Sequence, residues 1–299
     1  MIKGFVLLLF GTLACSTAAI IIKLSQTDPI LLAGFRCLIA SIILSPLYFR
    51  DRRLHRSTYH FKHLWASLLP GIFMGLHFIS WNFGVVRTAI ANATLLVTMA
   101  PITMPFFAWI IFRQKLNRAE WAATAFSVMG LVILVISDLQ LQAKNVAGDL
   151  LSVLSLLFLT YYMILARVNR DVGSIWLYIV PVYFISGMFS MVCSLFFEHP
   201  FQAYRMREIY IFLALALIPT VIGHSILNYS MRHLPSQLVA IVSSAQFIYA
   251  GILAYFIHQE TIHVMFLPAS GLVVVGVVLA VRARKESAGD NPAKNKSPA

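Results

Sequence analysis

The chain has 299 residues, of which 60% are hydrophobic and 11% are charged, and its formal net charge is +12. A soluble domain carries about 25% charged residues, so this chain has too little polar surface to cover a water-soluble fold. The composition excludes a soluble globular protein and predicts an all-α integral membrane protein.

Apolar blocks of about 20 residues, the length that crosses about 30 Å of hydrocarbon, recur along the chain. The connections between them are short, so no soluble domain is predicted outside the bundle. The first block is too long for a signal peptide and is predicted to be a membrane span. The ten predicted spans are residues 4–23, 30–49, 64–84, 89–112, 119–137, 147–166, 175–196, 209–230, 236–257 and 262–282.

Basic residues are distributed unevenly between the two sides that ten crossings define. One side receives 17 of the 23 lysines and arginines, and the other receives Lys23, Arg36, Arg87, Lys144, Arg205 and Arg207. Cytoplasmic segments of membrane proteins carry such an excess, so both termini are predicted to be cytoplasmic. The positive charge is therefore assigned to topology and to contact with lipid headgroups, and no nucleic-acid partner is expected.

The two halves of the chain resemble each other at a nearly constant offset. Arg87 and Arg232 are 145 residues apart, and so are the segments "LVTMAP" (96–101) and "IVSSAQ" (241–246). Each half contains five spans, an odd number, so the second half enters the membrane from the opposite face. Such inverted repeats recur in secondary transporters, with the substrate site where the repeats meet.

We therefore expect ten transmembrane helices arranged as two inverted five-helix repeats. The first repeat is predicted to cover residues 1–143 and the second residues 144–284. Residues 285–299 are polar and are predicted to form a disordered cytoplasmic tail. This organisation favours a transporter that works by alternating access.

Two stretches also carry a family resemblance. One begins at Gly75 and reads "GLHFISWNFGVVRTAIANATLLVTMAPI"; the other begins at Gly223 and reads "GHSILNYSMRHLPSQLVAIVSSAQFIYAGILAYFIHQETI". With "GLVVVGVVLAV" in the last span, they resemble the EamA-type family of the drug/metabolite transporter superfamily, in two copies that cover nearly the whole chain. The resemblance implies a ten-helix fold, a central cavity, and export or exchange of small metabolites.

Several single residues match the family pattern, and others depart from it. Arg36 resembles the arginine typical of the second span, Pro101 the proline of the fourth, and Glu260 the glutamate before the last span. Gln114 stands where the first half would carry the equivalent glutamate, and Gln246 stands where a second proline is common. These departures make the two halves chemically unequal.

Polar side chains in the third and eighth spans are the first candidates for substrate contact. His77 and Trp81 are four residues apart and share a helix face, as do His224 and Asn228. Polar groups within a bilayer usually face the bundle interior or a watery cavity, so we predict two related polar faces, one from each half, that bind substrate. The alternative is hydrogen bonding between helices, which is worth about 0.6 kcal/mol on average in membranes.

The fourth span carries a stripe of special residues. Thr94, Thr98, Pro101 and Pro105 lie at steps of four, three and four, which places them on one helix face. Each proline leaves the carbonyl four residues earlier without its donor, and freed carbonyls are tolerated where neighbours or a cavity satisfy them. The stripe is predicted to be a cavity wall or hinge, and the alternative is a packed kink.

Weaker candidates come from three other spans. In the ninth span, Ser243 and Gln246 occupy the positions that correspond to part of this stripe. Ser16 is the candidate in the first span and Tyr161 in the sixth, where Tyr161 and Tyr162 cannot both point inward.

Acidic residues are absent from the middle of every predicted span, since all 11 lie near span ends, in loops or in the tail. This weakens the case for a cation pump and favours neutral, zwitterionic or amphipathic metabolites, amino acids among them. If protons are coupled, His77 and His224 are the best placed titratable groups. Arg36 lies less than two turns into its span, where it could either meet a carboxylate or extend outward to the interface.

Motifs for other functions are missing from the sequence. There is no nucleotide-binding glycine loop or catalytic cluster, so neither an enzyme nor a cofactor or metal site is expected. The expected partners are a small-molecule substrate and membrane lipids, and a homodimer is left open. Export across the cytoplasmic membrane is the preferred hypothesis; an uptake facilitator, a metabolite exchanger and a non-transporting scaffold are the alternatives.

Overall fold

The computed structural model describes residues 2–56, 59–60, 62–138, 146–197, 203–261 and 264–289. Within these ranges the chain is helical apart from its connections, and no β-strand occurs. The first half contains α1 (Ile2–Leu24), α2 (Pro29–Leu54), α3 (Lys62–Arg87), α4 (Ile90–Val97), α5 (Ala100–Phe112) and α6 (Arg118–Asp138). The second half contains α7 (Val146–Val168), α8 (Ile175–Ser194), α9 (Met206–Leu215), a π-helical segment (Ala216–His224), α10 (Ser225–His233), α11 (Ser236–Ser244), α12 (Gln246–His258) and α13 (Phe266–Gly289).

The predicted membrane helices are present. Within the described ranges, nine helical stretches are long and apolar enough to cross a bilayer, and the 21-residue α6 completes the predicted set of ten. Large apolar side chains such as Ile42 and Leu150 are more than half exposed on the outside of the bundle, as expected of residues that face lipid. The prediction of an all-α membrane protein is confirmed.

Three of the ten predicted spans consist of shorter helical segments. The fourth span breaks at Thr98 and Met99, between α4 and α5, because Pro101 cannot donate a backbone hydrogen bond and clashes with the preceding turn. The ninth breaks at Ala245, between α11 and α12. The eighth widens into the π-helical segment, which contains Pro219. The broken fourth and ninth spans occupy equivalent places in the two repeats.

The two halves interlock helix by helix. α2 packs against its counterpart α8, and α6 packs against its counterpart α13. α1 packs against the π-helical segment in the same way that α7 packs against α3. An in-plane pseudo-two-fold axis produces such reciprocal pairs, so the packing fits the inverted-repeat architecture.

Glycines let α1 approach the second half closely. A Cβ atom added to Gly223 would lie 2.5 Å from the sulfur of Cys15, and one added to Gly11 would lie 2.6 Å from Cγ2 of Ile226. Small residues allow this kind of contact between membrane helices. The contact brings the middle of α1 to the boundary between the halves.

The predicted boundary between the repeats, at residues 143 and 144, lies outside the described residues. At the C-terminal end, α13 continues to Gly289, past the predicted start of the tail at Lys285. The remainder of that tail lies outside the described residues.

Candidate substrate-binding site

A small cavity lies where the two halves meet. Its volume is about 30 Å³, which is enough to hold a water molecule. The polar or thiol side chains that line it are Cys15, Arg36, His77, Thr98, His224 and Gln246. The apolar and aromatic ones are Ala18, Phe78, Trp81, Val97, Leu159 and Leu227. Both repeats therefore contribute to its wall.

Five of the eleven predicted site residues line this cavity, namely His77, Trp81, Thr98, His224 and Gln246. All but Gln246 are buried. The structure thus brings together side chains that are far apart in sequence, His77 and Gln246 being separated by 169 positions. The other six, Ser16, Thr94, Pro101, Tyr161, Asn228 and Ser243, lie elsewhere.

The two histidines meet across the boundary between the halves. The ring centroids of His77, on α3, and His224, at the end of the π-helical segment, are 5.9 Å apart. Phe78 packs edge-to-face on His224 at 4.9 Å. Nδ1 of His77 lies 2.7 Å from the hydroxyl and 3.1 Å from the carbonyl of Ser155 on α7. His77 is therefore held in place by α7, whereas Nδ1 of His224 is buried with no hydrogen-bond partner among the described residues.

Asn228 lies one turn beyond His224 and fixes the local backbone. Its Nδ2 donates to the carbonyl of His224 at 2.7 Å and to the hydroxyl of Tyr162. Tyr162 is fully buried, whereas its neighbour Tyr161 is partly exposed and packs on Phe73 with a centroid distance of 4.5 Å. Tyr162 thus contacts Asn228, and neither Tyr161 nor Tyr162 is among the residues that line the cavity.

Three hydroxyl residues of the predicted site are buried outside the cavity wall. Ser16 donates to the carbonyl of Leu13 at 2.6 Å and is occupied within α1. The hydroxyls of Thr94 and Ser243 are buried without a partner among the described residues. They occupy equivalent spans of the two repeats, close to the helix breaks.

Pro101 lies at a contact between helices α5, α6 and α11. Pro105 deprives the Pro101 carbonyl of its helical donor, and that carbonyl accepts a hydrogen bond of 3.1 Å from Nε2 of Gln237 on α11. The same nitrogen donates to Oγ1 of Thr124 on α6 at 2.7 Å. One glutamine side chain from the second half therefore satisfies the predicted free carbonyl and ties α5, α6 and α11 together.

Arg36 was not among the predicted site residues, although the family pattern had marked it. Its side chain is fully buried and turned inward to the cavity. Nε donates to Oγ1 of Thr220 at 3.0 Å, and the guanidinium carbon lies 4.0 Å from the centre of the Phe78 ring. Of the two directions that the sequence left open, the structure shows the inward one.

An ion pair joins the halves at one membrane face. We call this the distal face: it holds the C-terminal ends of α1 and α12 and the N-terminal ends of α4, α7 and α9. There Lys23 Nζ lies 3.2 Å from Glu260 Oε1, and both side chains are about a quarter exposed. The same carboxylate oxygen accepts from the backbone N–H of Ile90 at 3.3 Å. Glu260 thus connects the end of the ninth span to the first and fourth spans.

Further hydrogen bonds join the halves at the distal face. Glu208, at the start of α9, accepts from the hydroxyls of Ser25 at 2.5 Å and Thr27 at 2.9 Å. Thr88 donates to Asp149 at 2.8 Å. In this conformation the distal ends of the two repeats are therefore tied together.

Comparisons with known proteins agree with this architecture. Inner membrane protein YtfF of Escherichia coli (strain K12) is 21% identical over 248 residues, which cover 74% of this chain and 77% of that protein. A solved crystal structure aligns with a TM-score of 0.74 at 16% identity, covering 94% of this chain and 98% of that one; a likeness at this level of identity shows the fold alone. The EamA-like transporter family matches residues 2–136 and 146–282, which is most of the chain. The chain therefore belongs to the EamA-like transporter family, as its sequence resemblance had implied, and is a membrane transporter.

Proposed function

We propose that this protein is a secondary transporter that exports small polar or amphipathic metabolites, amino acids among them, by alternating access. The observation that carries the proposal is the cavity at the boundary between the repeats. Residues of both halves line it, and they combine aromatic faces with hydrogen-bonding groups. Ligand sites typically have this mixture of apolar wall and a few placed polar groups.

The chemistry of the wall supports this class of substrate. Trp81 and Phe78 offer aromatic surface, while Thr98, His224 and Gln246 offer hydrogen-bonding groups. Among the described residues that line the cavity there is no carboxylate. A buried cation would have no anionic partner there, so the wall suits neutral or zwitterionic molecules better than cations.

The small size of the cavity supports a mechanism in which the protein changes conformation. A volume of about 30 Å³ has room for a water molecule, so a metabolite would need the site to widen. The breaks at Thr98 and Ala245 and the π-helical segment are places where helices can bend. Opening toward the distal face requires the Lys23–Glu260 pair to separate.

The proposed orientation places both termini in the cytoplasm of a bacterial cell. The excess of basic residues on the side of the termini supports it. The similar Escherichia coli protein is described as an inner membrane protein, which supports the inner membrane as the location. The distal face would then be the outer side of that membrane.

Transport by purified protein in liposomes tests the proposal. The liposomes are loaded with a mixture of labelled amino acids and nucleosides, and release is measured with and without a pH gradient. We expect one chemical class to leave faster than it does from loaded liposomes that lack the protein. Dependence of this release on the pH gradient would implicate the two cavity histidines in proton coupling. Stimulation by an external substrate would indicate exchange, and accumulation from outside would indicate uptake. The proposal would be contradicted if no compound left faster than from loaded liposomes that lack the protein.

Matched variants connect transport to the cavity. His224→Leu removes a polar group from the wall, whereas His60→Leu changes an exposed histidine in a connecting segment. We expect His224→Leu to insert normally and lose transport, and His60→Leu to transport as the unmodified protein does. Equal transport by the two variants would mean that the histidine of the wall has only a packing role.

A further inference from the structure

Among the described residues, no carboxylate forms an ion pair with Arg36. Its side chain is fully buried, and its Nε donates a hydrogen bond to Oγ1 of Thr220. Neither Nη1 nor Nη2 has a hydrogen-bond partner among the described residues. The carboxylates with described partners lie near the membrane faces, as Glu208 and Glu260 do. Within the described ranges, the fully buried guanidinium of the cavity wall is therefore not paired with any carboxylate.

The terminal nitrogens of the guanidinium are the part of Arg36 that can still bind a ligand, since both are buried without a hydrogen-bond partner among the described residues. The guanidinium carbon lies 4.0 Å from the centre of the Phe78 ring, a distance at which the ring attracts the positive charge. The two terminal nitrogens carry four N–H donors that lie in the plane of the guanidinium. Two parallel N–H groups of an arginine match the two oxygens of a carboxylate.

The surroundings indicate a single negative charge on the ligand. Among the described side chains that line the cavity, Arg36 is the one lysine or arginine. The positions 144 and 145 residues later in the second repeat are Val180 and Pro181, so the repeat supplies no second cation. A phosphate monoester carries about −1.5 to −2 charges and would remain partly unpaired here, whereas a monocarboxylate would not.

We propose that Arg36 binds the carboxylate of the transported molecule and that the substrate class is small monocarboxylates, with amino acids as its zwitterionic members. This assignment rests on the proposed function, since it takes the cavity to be the substrate site. Thr220 and Phe78 hold the guanidinium in position, and Trp81 and Leu159 face the remainder of the ligand. Because the second repeat has no equivalent arginine, the substrate binds in one orientation relative to the two halves.

Cys15 provides a binding assay that does not depend on transport. It lines the same cavity as Arg36, and Cys37→Ser with Cys193→Ser leaves it as the single cysteine. The rate at which a maleimide labels this protein is measured with benzoate or leucine, and with benzamide or leucinamide, which lack the carboxylate. We expect the two carboxylates to slow labelling at concentrations where the two amides do not.

Variants of Arg36 assign the effect to the guanidinium. Hydrogen bonds to charged groups contribute about ten- to a hundredfold in affinity, so Arg36→Gln should raise the concentration of carboxylate needed for protection by at least about tenfold. Arg36→Lys keeps the positive charge without the paired donors. The concentration of carboxylate that it needs for protection should lie between that of the parent and that of Arg36→Gln. Arg87→Gln is the matched control, because Arg87 also stacks on a phenylalanine, at 4.9 Å, but is exposed and outside the cavity.

Several outcomes would overturn the assignment. These are equal protection by acids and amides, no protection by any of the carboxylates, and undiminished protection in Arg36→Gln. The comparison of acids with amides uses the protein with Arg36 intact, so it decides the question even if Arg36→Gln does not fold. Failure of the proposed function has a different signature, namely protection by carboxylates together with no release of any of them from liposomes.

Discussion

Replacement of Glu260 by glutamine should favour opening of the distal face. Glutamine keeps an oxygen that can accept from the backbone N–H of Ile90 but removes the charge that pairs with Lys23. Both side chains of the pair are about a quarter exposed, and partly exposed ion pairs contribute up to about 1 kcal/mol. A loss of about 1 kcal/mol shifts an equilibrium about fivefold. We therefore expect the distally open population to rise about fivefold.

Labelling of Cys15 in intact cells measures that population. The single-cysteine protein is treated with a membrane-impermeant thiol reagent, which reaches the distal face in the proposed orientation. Glu260→Gln should be labelled about five times faster than the parent. Asp171→Asn is the control, because it removes the carboxylate of an exposed pair whose atoms lie 3.8 Å apart, and it should leave the rate unchanged.

A double variant sharpens the test. If the ion pair is the cause, adding Lys23→Gln to Glu260→Gln should produce little further change, because the interaction is already lost. An unchanged labelling rate in Glu260→Gln would refute the idea that the pair holds the distal face closed. Fully additive effects of the two substitutions would refute it too.

Three further predictions concern the packing and the site. Gly223→Ala should lower the thermal midpoint of the purified protein, because the added Cβ would lie 2.5 Å from a sulfur atom on α1 and overpacking costs about 1–3 kcal/mol. Gly271→Ala is the control and should not lower the midpoint, because no atom lies within 4 Å of its added Cβ. Gln237→Leu should destabilise the fold by about 1 kcal/mol, because it removes two hydrogen bonds between helices, one of them to the Pro101 carbonyl, and denaturation of the purified protein would show this. Asn228→Leu should insert at normal levels and lose transport in the liposome assay, and normal transport would assign Asn228 to packing alone.

The number and approximate positions of the membrane helices could be predicted because their signal is strong. A bilayer demands about 20 apolar residues per crossing, and this chain supplies such blocks with polar residues between them. The inverted relation of the halves followed from the odd number of spans in each repeat and from the charge bias. The helix breaks were only partly visible: Pro101 marked one, whereas the break at Ala245 has no proline at the equivalent Gln246.

The residues that line the cavity could be predicted less well. Helical periodicity shows which residues share a helix face, but it does not show which other helix that face packs against. Neighbouring residues on a helix differ by about 100°, so the pattern allowed either Tyr161 or Tyr162 to face inward, and contact with Asn228 fixes Tyr162 there. Arg36 could not be placed by pattern alone, since a long side chain near a span end can turn either way. Its direction depends on Thr220 and Phe78, which come from other spans.

Accessibility of Cys15 from the two sides of the membrane tests the central claim most directly. The single-cysteine protein is reconstituted in one orientation, and an impermeant thiol reagent is applied to each face in turn. Alternating access predicts labelling from both faces, with Glu260→Gln increasing only the distal rate. Labelling from one face alone, with the other face unreactive in the parent and in the variant, would contradict the account, because the cavity would then never open to both sides.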